Sequence, residues 1–241
     1  MNNPAIIGKA TIYNIDCMEL LKATPDKFYD LAIVDPPYGI GESGKSNASR
    51  GSAAGANKFK GTRNTTGAGI ASTKFIEKDW DSSAPDYEYF NELVRVSKNQ
   101  IIWGANHFAD RLPCPKSPCW IVWDKVNGET DFADSELAYT SFKTAVRNFK
   151  FQWNGMLQGD MKNKEQRIHP TQKPVKLYEW LLTNYAKQGD KILDTHLGSG
   201  SHAIACNNLG FELTACELDK DYYDASIKRI QQATAQERLF E

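Results

Sequence analysis

Four residues, Asp35-Pro36-Pro37-Tyr38, follow an apolar run and carry a specific chemistry. An amino group on an aromatic ring is a weak nucleophile, because its lone pair is delocalised into the ring. Two acceptors aimed at its two N–H bonds favour a pyramidal nitrogen and free that lone pair. The Asp35 carboxylate supplies one acceptor and the Pro36 carbonyl the other. Consecutive prolines fix φ and hold that carbonyl outward. Tyr38 offers a flat face on which a planar base can stack. The tetrad suits in-line group transfer to an exocyclic amine, driven by positioning and electrostatics and needing no metal.

A second constellation lies near the other end of the chain. Asp194-Thr195-His196-Leu197-Gly198-Ser199-Gly200 follows an apolar run, and Gly198 to Ala203 fits the G-x-G-x-x-A fingerprint. The glycines let the backbone come close to a ligand. Glu217 ends the next apolar run and can accept from both hydroxyls of a ribose. Asp194 can reach the ammonium of an amino-acid tail. A nucleoside cofactor is expected, and the turn does not choose between NAD and S-adenosylmethionine.

Both constellations need strands that end at one edge. Buried strands are expected at Thr11–Tyr13, Leu31–Val34, Gln100–Trp103, Trp120–Trp123, Leu137–Thr140, Ile192–Leu193 and Phe211–Cys216. Helical patterns cover Met18–Lys22, Tyr87–Val96, Pro174–Lys187 and Ser201–Leu209, with a last helix capped by Asp219. Strands alternating with helices imply an open α/β sheet, which binds ligands beyond the carboxyl ends of its strands. The Trp120–Thr140 stretch, broken at Asn127-Gly128, reads as a hairpin at an antiparallel edge.

The chain has 241 residues, 41% hydrophobic and 24% charged, which suits one globular domain with an ample core. No apolar run approaches the roughly 18 residues of a membrane span, and the N-terminus lacks signal-peptide character. A cytoplasmic protein is the expectation. Five scattered cysteines fit reduced thiols, and no second pair completes a zinc site beside Cys114 and Cys119. The net charge is −1, but the charges are unevenly placed. Between Lys45 and Lys74 six bases, Lys45, Arg50, Lys58, Lys60, Arg63 and Lys74, stand without an acid. A second basic stretch includes Lys143, Arg147 and Lys150. Both could grip phosphates locally. The Gly39–Gly69 stretch is rich in Gly, Ser, Ala and Asn, lacks periodicity, and reads as a mobile loop.

With the tetrad preceding the glycine turn, the chain resembles the β class of DNA amino-methyltransferases, from Thr11 to about Ile230. The resemblance implies a Rossmann-like S-adenosylmethionine-dependent methyltransferase fold: a mostly parallel seven-stranded sheet with one antiparallel strand. The motif order is circularly permuted, so that the Ile192, Leu213, Ile12 and Leu31 strands would be the first to fourth of the usual order. It implies a catalytic role for Asp35, Pro36, Pro37 and Tyr38. It assigns the cofactor to Asp16, Cys17, Asp35, Thr171, Lys173, Asp194, His196, Gly198, Ser199, Gly200 and Glu217. Asp16 and Cys17 would meet its adenine, and Thr171 and Lys173, in His169-Pro170-Thr171-Gln172-Lys173-Pro174, its carboxylate. The family usually has D-P-F-x-G-S-G-T-T where this chain has Thr195, His196, Ser201 and His202. His202 reads as a surface residue at a helix start.

The implied partner is double-stranded DNA with the target base flipped out. A DNA-contacting loop over 39–79 would close on it, and a target-recognition segment over 130–168 would read base edges. Within the family, an aspartate heading the tetrad goes mainly with adenine N6, and a serine mainly with cytosine N4. Adenine is therefore expected, with cytosine N4 the near alternative. The resemblance hints at a homodimer and leaves room for a cognate restriction endonuclease. Competing readings are an NAD-dependent oxidoreductase, which leaves the tetrad and basic loop unexplained, and an inactive DNA-binding homologue with an altered cofactor pocket.

Overall fold

The computed structural model of the chain describes residues 3–44, 78–112, 114, 116–127, 133–154 and 157–237. Lys45, Arg50, Lys58, Lys60, Arg63 and Lys74, and most of the loop expected over 39–79, lie outside the described residues. Along the chain come β1 (Ala5–Ile7), β2 (Ala10–Tyr13), α1 (Cys17–Ala23), β3 (Tyr29–Val34), α2 (Tyr87–Val96) and β4 (Ser97–Trp103). Then follow β5 (Trp120–Asp124), β6 (Ser135–Thr140), β7 (Arg147–Lys150), and the small β8 (Trp153–Asn154) and β9 (Leu157–Gln158). The chain continues with α3 (Val175–Tyr185), β10 (Lys191–Asp194), α4 (Ser201–Leu209), β11 (Glu212–Cys216) and α5 (Lys220–Glu237).

The carboxyl halves of the central strands β3 and β4 are buried and almost wholly apolar because helices cover both faces. In β3, Leu31, Ala32, Ile33 and Val34 are all at most 1% exposed, alternating between the two sides. Leu31 and Ile33 meet Leu177, Leu181 and Ile204 from α3 and α4. Ala32 and Val34 meet Leu21, Phe90 and Leu93 from α1 and α2. Each fully buried leucine or phenylalanine stabilises by roughly 1.5–3 kcal/mol. Helix α2 starts where the Asp86 carboxylate accepts the Tyr89 N–H at 3.1 Å. Helix α4 lies between left-handed glycines, Gly200 at φ +77° and Gly210 at φ +76°.

The sheet has nine strands in the order β1-β2-β11-β10-β3-β4-β6-β5-β7. The four strands given permuted places, β10, β11, β2 and β3, lie together as β2-β11-β10-β3, and β6 is antiparallel to both its neighbours. The seven-strand expectation is corrected at both edges. β1 adds an antiparallel hairpin to β2, and β7 adds a parallel strand beside β5. β1 is only three residues long, and three of the four residues of β7 are exposed, so neither makes an apolar run. The β5–β6 hairpin forms as read, but β6 is interior and β7 takes the edge. The helix read from Pro174 begins at Val175, with Pro174 as its cap in extended conformation, and ends at Tyr185. Asp16, Asp35, Asp194 and Glu217 all stand at or just past strand ends on the carboxyl edge. Among the described residues no helix is long and apolar enough to cross a membrane.

Candidate active site

Asp35 leaves β3 into a turn that the buried core cannot hold alone. Its Oδ1 accepts the Tyr38 hydroxyl at 2.7 Å. Its Oδ2 accepts Lys173 Nζ at 2.5 Å, and that ammonium also lies 3.1 Å from the Tyr38 oxygen. Lys173 is 3% exposed and also faces Glu136 Oε2 at 3.1 Å; Glu136 in turn pairs with Lys125. The result is a chain of alternating charge, Lys125, Glu136, Lys173, Asp35, in which Lys173 is buried and the other three are half-buried. Burial pushes the Asp35 carboxyl up, against the pull of Lys173. Burial also opposes charge on Glu136, but Lys173 and Lys125 outweigh it and hold that carboxyl at about 2. Burial disfavours the Lys173 ammonium, yet Asp35 and Glu136 keep its pKa above the ordinary lysine value.

The tetrad's backbone is organised by Asp81, which is 2% exposed. Its Oδ1 accepts the N–H groups of Tyr38 (2.7 Å) and Gly39 (2.9 Å), and its Oδ2 that of Glu42 (2.8 Å). The Lys78 N–H donates to the Ser43 carbonyl at 3.1 Å. The chain therefore leaves at residue 44 and returns at residue 78 side by side. The Tyr38 ring stacks on His107, with centroids 4.9 Å apart and planes 16° apart. It also lies against Gly104, at φ +69°, where an added Cβ would fall 2.0 Å from Tyr38 Cε1.

The glycine turn stands on the same carboxyl edge of the sheet. Asp194 is 2% exposed; its Oδ1 accepts the His196 N–H at 3.0 Å and its Oδ2 meets His202 Nδ1 at 3.0 Å. Glu217 Oε2 accepts the Gly198 N–H at 2.8 Å, and Oε1 that of Asp219 at 2.9 Å. Burial pushes the Glu217 carboxyl up to about 7. Gly200 cannot carry a side chain, since its Cβ would sit 2.9 Å from Ile230 of α5. Ser199 is buried with its hydroxyl 3.0 Å from that of Ser201. Asp16 caps α1 by accepting the Met18 N–H at 2.7 Å. Next to it, Cys17 Sγ lies 4.0 Å from His196 Nε2. Burial raises the Cys17 thiol to about 12 and lowers the His196 imidazole to about 4, so both are neutral near pH 7.

Several residues stand elsewhere than the sequence suggested. His202 is buried at 1% exposure, because α4 is enclosed on nearly every side and not only along one stripe. Lys173 reaches Asp35, while Thr171 keeps its hydroxyl 3.1 Å from His169 Nδ1. His169 is packed against Tyr222 and Trp80, with centroids 4.3 Å and 5.0 Å away, and burial lowers its imidazole to about 3. Lys78 meets Asp219 at 2.6 Å, tying the segment around Asp81 to the start of α5 beside Glu217. Arg147 pairs with Ile121 at the beginning of β5, so Arg147 and the preceding Lys143 lie toward the amino edge, away from Asp35. Lys150 pairs with Asp124 at the carboxyl edge and is exposed there. Asp81, Lys125 and Glu136 were not singled out by the sequence.

Residues 121–228 match the DNA methylase family of the N6/N4 type. The chain is 24% identical over 264 residues to the Type II methyltransferase M.HinfI of Haemophilus influenzae, covering 92% of this chain and 68% of that protein. The crystal structure of an M1.HpyAVI–SAM complex shares the fold with a TM-score of 0.54 at 21% identity, covering 91% of this chain and 99% of that one. The cytosine-N4-specific PvuII DNA methyltransferase does so with a TM-score of 0.56 at 12% identity, covering 97% and 94%.

Proposed function

We propose, from the premise that this chain is a DNA amino-methyltransferase of the N6/N4 type, that it methylates the N6 amine of a flipped-out adenine in DNA. The observation that carries this reading is the Asp35 carboxylate, held by Tyr38 and Lys173 on the same sheet edge as Asp194 and Glu217.

The residues of the second half fit S-adenosylmethionine by their chemistry. Glu217 offers a carboxylate to a ribose diol, Asp194 one to an ammonium, and Asp16 one to an adenine amine. When bound, that cofactor supplies an electrophilic methyl on a sulfonium. The protein's own part begins with Asp35. One of the target amine's N–H bonds replaces the Tyr38 hydroxyl on Oδ1, while Lys173 stays on Oδ2 and keeps the carboxylate in place. The Pro36 carbonyl takes the second N–H. Tyr38, released from Asp35, turns its ring to the base. The amine's surplus proton leaves after transfer, so no histidine base is needed. Asp35 at the head of the tetrad favours adenine, as the family resemblance implies.

Double-stranded DNA is the substrate this reading expects, with the loop over 39–79 and the segment over 130–168 as its contacts. Lys150 faces the site's edge, so of the second basic stretch it is the proposed phosphate contact. A cognate restriction endonuclease is one partner this reading leaves room for.

The test is nucleoside mass spectrometry on unmethylated DNA incubated with the protein and S-adenosylmethionine. N6-methyladenine is the expected product. N4-methylcytosine would keep the chemistry and overturn the base assignment. No modified base despite measurable cofactor binding would overturn the reading.

A further inference from the structure

His202 occupies a position that the methylation reading leaves without a task. Its side chain is fully enclosed in the second position of α4. Its ring is stacked on Tyr178 of α3, with centroids 4.7 Å and planes 12° apart. Nδ1 lies 3.0 Å from Asp194 Oδ2, and Nε2 is buried with no hydrogen-bond partner. A carboxylate only accepts, so Nδ1 carries the hydrogen. Nε2, with no acceptor beside it, takes no part in holding Asp194, so the contact rests on Nδ1–H alone.

The Asp194 carboxylate is thus fixed from two sides, by the His196 N–H on Oδ1 and by His202 on Oδ2. Two donors use about half of a carboxylate's acceptor capacity, which leaves acceptor sites on a side chain that is itself 2% exposed. Resting on the cofactor reading above, we propose that His202 is a positioning residue for the amino-acid end of the cofactor. It holds Asp194 in the orientation that meets the ligand's ammonium. The Tyr178 stack fixes the imidazole plane, and the imidazole fixes the carboxylate. A side chain lacking the donor would let Asp194 rotate, and the loss would fall on ligands that carry the ammonium.

The test compares two ligands by calorimetry: S-adenosylhomocysteine, which has the amino-acid tail, and 5′-methylthioadenosine, which lacks it. His202→Leu removes the donor at similar volume. His202→Asn places an amide N–H close to where Nδ1–H stood. His202→Leu is expected to weaken S-adenosylhomocysteine about tenfold, the scale of one charge-assisted hydrogen bond, and to leave 5′-methylthioadenosine within about twofold. His202→Asn should restore the tailed ligand to within about threefold of the original. Equal weakening of both ligands, or of neither, would overturn the inference. If His202→Leu does not fold, 15N histidine spectra of the unaltered protein decide instead: an Nε2–H tautomer for His202 overturns it. An unaltered protein that binds 5′-methylthioadenosine but not S-adenosylhomocysteine also overturns it. One that binds neither overturns the cofactor reading itself.

Discussion

Asp81→Ala is the sharpest perturbation the structure offers, because one buried carboxylate organises the whole turn proposed as catalytic. It accepts three backbone N–H groups, from Tyr38, Gly39 and Glu42, at 2.7, 2.9 and 2.8 Å. Hydrogen bonds to a charged acceptor contribute about 1.5–3 kcal/mol each. The three are not additive, and Gly39 is exposed enough for water to replace one. A local loss of about 2–5 kcal/mol is the working figure. The loss falls on the turn, because β3 is anchored separately by its own buried side chains. A displacement of 1 Å at reacting groups costs about a hundredfold in rate. Asp81→Ala is therefore expected to lower kcat for DNA methylation by about a hundredfold or more, with S-adenosylmethionine affinity within about threefold of the original. Asp81→Asn keeps one oxygen for Tyr38 and Gly39 but sets an amide N–H against that of Glu42. Its loss should be about tenfold. Single-turnover transfer of labelled methyl groups, with calorimetry alongside, measures both. A folded Asp81→Ala protein with kcat within threefold of the original would refute the reasoning. So would a loss confined to cofactor binding.

Three further substitutions probe separate parts of the site. Lys173→Met leaves the half-buried carboxylates of Asp35 and Glu136 without their shared cation, so stability should fall by up to about 5 kcal/mol and Tm by up to roughly 20 °C, with transfer abolished. A stable, active Lys173→Met protein in thermal melts and transfer assays would contradict the role given to this charge chain. Gly104→Ala drives a Cβ into the Tyr38 ring at a left-handed backbone position and should reduce transfer while calorimetry shows cofactor binding unchanged. Glu217 holds a proton up to about pH 7 when folded but only to about 4.5 when unfolded. Its contribution to the free protein's stability is therefore present below about pH 4.5 and lost as pH rises to about 7. Cofactor affinity should rise over the upper part of that window as the carboxylate becomes available to ribose hydroxyls. Glu217→Gln should flatten both profiles, and calorimetry across pH 5–8 that shows no difference between the two proteins would count against this role.

The strands that hold the site could be read because they are buried on both faces. Leu31–Val34 and Gln100–Trp103 have no polar alternation to blur them, and the order of the two motifs predicted how the sheet is permuted. β7 was missed because an exposed edge strand such as Arg147-Asn148-Phe149-Lys150 has nothing apolar to signal it. That omission also hid the fact that Lys143 and Arg147 face away from the tetrad. Asp35, Tyr38, Asp194 and Glu217 were visible from residue type and place after a strand. Their partners were not: Lys173 lies 138 residues from Asp35 and Asp81 lies 43 from Tyr38 in the chain, separations that no local pattern encodes. His202 was misplaced because α4 is enclosed on nearly every side from Ser201 to Cys206, and periodicity is informative only when one face of a helix meets water.

The sheet order also governs when this protein can first exist on the ribosome. β2 and β3 emerge early, yet their inner neighbours, β11 and β10, come last among the described strands. At about 5–20 residues per second, the nascent chain waits roughly 10–40 s between Val34 and Cys216 with both strand edges unpaired. Open edges of this kind are templates for wrong pairing, and chaperones that shield the growing chain have most to do in this interval. A chain halted before Lys191 has two raw edges and only half of the proposed site, so interrupted synthesis leaves no partial enzyme behind.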